Sequence, residues 1–161
     1  MGQERRRCLS RWRVESNHIG CGALVYSKST QRYLFLLRNQ KRHAGSWGLV
    51  GGGVEADETP SEALHREIQE EIGYIKVDKV IPLEKFTSDT NNFEYHTYLI
   101  IVADEFIPQL NDEHRGYAWT ELDDHPKPLH PGVWRTFNFK SVIDKIKTVE
   151  KVIAQPLTQI A

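Results

Sequence analysis

Three glutamates crowd one short stretch of this chain: Glu67, Glu70 and Glu71 in the run REIQEEIG. On a helix they fall at i, i+3 and i+4, which sets them on one face. Like charges at that spacing repel by about a few tenths of a kcal/mol even when solvated, so a positive partner is expected. Hard divalent cations such as Mg²⁺ take oxygen ligands, keep several waters and suit a carboxylate cluster facing a phosphate. The plainer alternative is a solvated acidic face, and an isolated EIQEE would be read that way.

The flanking residues favour the cation. Thr59, Pro60 and Glu62 spell a helix start, a T-x-x-E capping box with proline in the first turn. Gly73 supplies the stop. Leu64, Ile68 and Ile72 recur every four residues and form an apolar stripe that should pack on a sheet and fix the rotation of the acidic face. Upstream, Gly51, Gly52 and Gly53 resemble a phosphate cradle only superficially, because neither a G-K-[ST] ending nor a completed G-x-G-x-x-G is present. Glycine there lets the backbone turn and lets a carbonyl approach a cation.

From Gly52 to Tyr74 the residues fit G-x5-E-x7-R-E-U-x-E-E-x-G-U, where U is a bulky apolar residue, with Glu58, Arg66, Glu67, Ile68, Glu70, Glu71 and Gly73 at the fixed places. This stretch resembles the Nudix box, with Tyr74 where an aliphatic residue is more usual. The resemblance extends over roughly residues 19–153 and implies the Nudix fold, an α/β class with a mixed β-sheet sandwiched between helices (α/β/α). It implies hydrolysis of a nucleoside diphosphate linked to another moiety, with Mg²⁺ or Mn²⁺ held by Glu67, Glu70, Glu71 and the Gly51 carbonyl. Gly52, Glu58, Arg66 and Gly73 are then structural, with Glu58 and Arg66 an ion pair that fixes the loop onto the helix. Glu113, six residues before Trp119, resembles the second acidic position of many Nudix enzymes and is expected to be the general base or an additional metal ligand, with Asp112 and His114 as rivals. ADP-ribose and related ADP compounds lead as substrates. Nucleoside triphosphates, dinucleoside polyphosphates, sugar nucleotides and capped RNA stay open. Two other classes are weighed: a nucleotide-binding module without turnover, disfavoured by the intact carboxylates, and an isoprenoid-diphosphate isomerase, for which Cys21 on an apolar strand is a poor nucleophile.

The elements that position these groups follow from the pattern of the rest. Ile19 to Ser27 and Tyr33 to Arg38 read as strands joined by a Ser-Thr-Gln turn. Arg38, ending the second, is a candidate for a two-pronged phosphate contact. Trp47 is expected to wall the core. Ile75 to Phe86 is strand-like, and Phe93 to Val102 alternates cleanly as a strand. His96 near its start is a candidate substrate contact, against a structural histidine as the alternative. Trp119 should anchor the loop that carries Glu113. From about Val133 a helical stripe of Val142, Ile143, Ile146, Val149 and Ile153 should close the core.

The 161 residues suit one domain, taken as residues 17–154 with an Arg-rich arm at 1–16 and a tail at 155–161. Arg5, Arg6 and Arg7 are expected to be solvated. A net charge of −1 asks for no nucleic-acid polyanion and no acidic membrane as main partner. The expected partner is a nucleotide-type small molecule, nucleic acid entering only as a capped-RNA substrate, and a homodimer is left open. Two cysteines outside any metal or redox spacing make a reducing, cytoplasmic setting the default. No run reaches the length of a membrane span, no signal-peptide core is evident, and Arg6 stands where a myristoylation signal needs Ser or Thr.

Overall fold

The structure is a computed structural model that describes residues 18–90 and 92–154. The arm assigned to 1–16 and the tail 155–161 lie outside the described residues. The strands are β1 (His18–Ser27), β2 (Arg32–Arg38), β3 (Trp47–Gly48), β4 (Val50–Gly53), β5 (Lys79–Thr87), β6 (Phe93–Val102) and β7 (His114–Thr120). The helices are α1 (Pro60–Ile72), α2 (Pro131–Phe137) and α3 (Lys140–Ala154).

The seven strands of the described residues join one sheet, with β3, β2, β1, β6 and β5 in order along it. Strands β1 and β6 run parallel, and the other pairs are antiparallel, so the sheet is mixed. Strand β1 shares one edge between two partners: Gly20 to Ala23 pair with β4, and Val25 to Ser27 pair with β2. That division separates β4 from β2 along the same edge of β1.

Side chains alternate across a strand, and here the alternation sorts the core into two layers. Cys21, Ala23 and Val25 face α1, whose Ala63, Leu64, Ile68 and Ile72 close that side. Leu24, Tyr26, Tyr33 and Phe35 face the other way, under Val142 and Ile146 of α3. Each aliphatic side chain so buried contributes about 1.5–3 kcal/mol. The result is the three-layer α/β/α arrangement. Ile143, Val149 and Ile153 pack at the margin of the second layer.

Two boundaries differ from the sequence expectation. Strand β5 begins at Lys79, because Ile75 and Val77 pack against the α1 core from a connecting segment instead of pairing. The terminal helical region is two helices, split at Asn138, whose N–H and Nδ2 bond back to carbonyls of α2. Among the described residues no helix is long and apolar enough to cross a membrane.

Candidate functional site

The start of α1 is built as its residues dictate. Thr59 Oγ1 accepts the Glu62 N–H at 3.2 Å and donates to Glu62 Oε1 at 3.0 Å, Pro60 opens the first turn, and Gly73 ends the helix with φ +90°. Arg66 then locks the preceding loop. Its Nε and Nη2 each donate to Glu58 at 2.8 Å, Nη2 also donates to the Gly53 carbonyl at 3.0 Å, and Nη1 donates to Glu67 at 3.0 Å. The Arg66 hydrogen bonds hold the Glu58 carboxyl down at about 2. A planar fork matched to a carboxylate fixes direction as well as distance, so the loop and the helix face move as one.

The acidic face meets the glycine strand. Glu71 is 2% exposed and accepts the Gly51 N–H at 2.8 Å. Burial first, and the facing Glu113 carboxyl second, push its pKa up to about 10. The Glu67 carboxyl, raised chiefly by burial, lies against Gly52 so closely that a Cβ there would collide with it. Glycine at 52 is thus a requirement of close approach. Gly51 is required twice, since its φ is +156° and a Cβ would run into the backbone of Cys21 and Gly22. Glu70 stands at the solvent edge, its carboxylate 3.4 Å from Arg66 Nη1.

A separate segment brings in Glu113. Asn111 Nδ2 donates to the Glu70 carbonyl at 3.0 Å, and Asn111 Oδ1 accepts the Glu113 N–H at 3.0 Å. Gln109 N–H caps the Ile72 carbonyl at 3.0 Å, and Asn39 N–H donates to the Glu113 carbonyl at 2.8 Å. Trp119 anchors the same segment, donating from Nε1 to the Phe106 carbonyl at 3.1 Å and meeting the Phe106 ring edge-on. A carboxylate oxygen of Glu71, one of Glu113 and a ring nitrogen of His114 all lie within 4.8 Å of one another.

On the other side of the glycine strand lies a cavity of about 510 Å³, walled by Gly51 to Gly53, Arg38, Phe93, Tyr95, His130 and Arg135. The Phe93 and Tyr95 rings lie nearly parallel, 6.2 Å apart, and the Arg135 guanidinium sits 3.4 Å above the Phe86 ring. Arg38 Nε and Arg135 Nη1 are buried without a partner among the described residues. Burial, with Arg38 as the next cause, pushes the His130 pKa down to about 4, so this ring is a neutral acceptor, used by the Gly132 N–H. The cavity thus combines aromatic faces with two guanidinium groups that each keep one nitrogen without a partner, while Arg38 Nη2 donates to Gln40 Oε1 at 2.9 Å, a combination suited to a flat ring bearing anionic or acceptor groups.

The structure therefore brings Glu67, Glu70, Glu71, Glu113, Gly51 and Arg38 together around one strand. It does not bring His96 to the cavity: Tyr95 and Thr97 line the cavity, while His96 points to the other face of β6 and has Nε2 2.8 Å from Glu94. Trp47 packs at the margin of the second core layer, as a wall. Asn111, His130 and Arg135 went unsingled in the sequence, because the role of each depends on a segment far along the chain: Asn111 on Glu70, His130 on Arg38 and Arg135 on Phe86. Cys21 is wholly buried, and burial pushes its thiol up to about 11, which removes the thiolate that an isomerase would use.

The donor set fits a hard divalent cation. It is all oxygen in the α1 face, and it contains in Glu71 a buried carboxyl that a cation would keep charged.

The sequence model of the NUDIX domain matches residues 16–139. A curated relative, the nucleoside triphosphatase NudI of Escherichia coli O139:H28, is 33% identical over 91 residues, covering 50% of this chain and 64% of that protein. The chain spans less than two thirds of that relative's length. Among solved structures, a MutT NUDIX hydrolase from Burkholderia pseudomallei superposes with TM-score 0.60 at 28% identity, over 80% of this chain and 98% of that one. A MutT protein from Methanosarcina mazei Go1 gives 0.64 at 25% identity, over 83% and 97%. The NUDIX domain of Shewanella oneidensis NrtR, solved with ADP ribose, shares the fold at 0.65 and 15% identity, over 81% and 88%.

Proposed function

This chain belongs to the NUDIX family, and from that we propose that it hydrolyses the diphosphate linkage of a nucleotide, using Mg²⁺ or Mn²⁺ held by Glu67, Glu70, Glu71, Glu113 and the Gly51 carbonyl. The observation that carries the reading is the convergence of Glu67, Glu71 and Glu113 from two segments at the glycine strand, with Glu70 at the solvent edge of the group, beside a cavity with aromatic and cationic walls. When bound, the cation would neutralise the diphosphate and lower the pKa of a water, so that the water can give up a proton and attack phosphorus.

The rest is the work of this chain's own residues. The Glu58–Arg66 lock pre-aims the carboxylates, so little reorganisation is left for the moment of reaction. Glu113, held by Asn111 and Asn39, is placed to take the proton of the attacking water from a side that α1 does not cover. Arg38 binds phosphate oxygens at the cavity mouth with a fork that matches them. The cavity holds the nucleoside.

Within that class, ADP-ribose and related ADP compounds are the leading substrates, a choice supported by the fold that the chain shares with the ADP-ribose-bound NrtR domain. Nucleoside triphosphates form the second reading, supported by the 33% identical relative named a nucleoside triphosphatase. A screen of both sets with Mg²⁺, Mn²⁺ or chelator, scored by the mass of the products, tests the proposal. Metal-dependent release of a nucleoside monophosphate with a phosphorylated second product is expected from a diphosphate conjugate. Binding of nucleotides without any product would return the chain to the class of binding modules.

A further inference from the structure

We propose that His114 adds a nitrogen ligand to Glu71 and Glu113, making a mixed nitrogen and oxygen site at the β7 side of the centre that prefers a borderline first-row cation such as Co²⁺, Fe²⁺ or Zn²⁺ to Mg²⁺. The inference rests on Glu71 and Glu113 being cation ligands, and goes beyond it in assigning a residue and a metal preference. His114 opens β7 opposite Arg38 and is only 6% exposed, yet its Nδ1 has no hydrogen-bond partner among the described residues. A buried polar atom left unpaired in a native fold calls for an explanation, a bound ion being one of the few available.

The distances suit one. A ring nitrogen of His114 and a carboxylate oxygen from each of Glu71 and Glu113 all lie within 4.8 Å of one another. Neighbouring ligands bound at about 2.0–2.2 Å to one ion stand roughly 3–3.6 Å apart, so a contraction of about an ångström completes the site. Chemistry then distinguishes it from the α1 face. Glu67, Glu70 and Glu71 offer oxygen alone, which suits Mg²⁺, whereas an imidazole nitrogen shifts preference toward later first-row metals. One buried carboxylate, Glu71, belongs to both sets and would join them.

Co²⁺ alone is the probe. Bound to wild-type protein with selectively ¹⁵N-labelled histidine, it should give a hyperfine-shifted, exchangeable imidazole N–H in the proton spectrum, absent from His114→Gln. Calorimetry should show Co²⁺ affinity falling by about tenfold or more in that variant, with Mg²⁺ affinity changed by about twofold at most. Should the variant fail to fold, the wild-type spectrum decides by itself. Co²⁺ binding with no shifted imidazole would overturn the assignment of His114 and leave the carboxylates standing. Failure of both Co²⁺ and Mg²⁺ to bind would overturn the site and the proposed hydrolase together.

Discussion

Asn111 and Glu113 are joined by a hydrogen bond of 3.0 Å from the Glu113 N–H to the Asn111 Oδ1, while the other end of the same amide holds the Glu70 carbonyl at 3.0 Å. One side chain thus ties the loop acid to the helix that carries the other three carboxylates. Asn111→Ala should release Glu113 without touching substrate. A misplacement of about 1 Å at a reacting group costs as much as roughly 10²-fold in rate, so kcat should fall by about 10- to 100-fold with KM little changed. Steady-state kinetics check this split; a raised KM with unchanged kcat would make Asn111 a substrate contact instead.

Glu113→Gln keeps the shape of the side chain and removes its basicity. If Glu113 takes the proton, kcat falls by about 10²-fold or more, without a comparable loss of thermal stability. Wild-type kcat across pH in this variant, together with a collapse in Glu67→Gln, would move the base to α1.

Gly52 touches the Glu67 carboxylate where a Cβ would need to be. Gly52→Ala should therefore displace a flexible carboxylate end at little cost in stability, while lowering metal affinity by about 10- to 100-fold. Paired measurements of melting temperature and Mn²⁺ binding test this, and equal affinity in the two proteins would dissociate Glu67 from the metal.

The box helix was legible because i, i+3 and i+4 spacing, a capping box and a stop glycine are local signals, and β6 was legible because it alternates along its full length. Glu113 was within reach through its distance from Trp119. The tie through Asn111, the buried unpaired nitrogens of Arg38 and Arg135, and the neutral His130 were not legible, since each depends on distant segments that only the closed sheet brings together. His96 was singled out by its residue type near a strand start, and the face it takes on β6 sends it to Glu94 instead. Apolar content around Ile75 suggested a strand, yet the segment packs on α1 without pairing, a tertiary choice that overrides local propensity.

Glu58 gives a pH dependence with a definite sign. The Arg66 hydrogen bonds lower its folded-state pKa from 4.5 to about 2, so its ionised form stabilises the fold above about pH 4.5 and that contribution is lost as pH falls toward 2. Glu58→Gln should be less stable than wild type at pH 7, and the gap should close by about pH 2. Urea midpoints at both pH values measure it; a gap that persists in acid would mean that the pair acts through packing.

The central claim is that the carboxylates of α1 hold the cation that hydrolysis requires. The direct measurement is turnover of ADP-ribose and of a nucleoside triphosphate in heavy-oxygen water, with a Mg²⁺ titration and a chelator control, for wild type, Glu70→Gln and Glu71→Gln. Loss of a hard ligand removes several kcal/mol of transition-state stabilisation, so kcat should fall by about 10²-fold or more in each variant while the fold persists. Wild type should stop in chelator and place the label on phosphate oxygen. Undiminished turnover in chelator and in both variants, or label only on a carbon-bound hydroxyl, would contradict the metal centre and the attack at phosphorus.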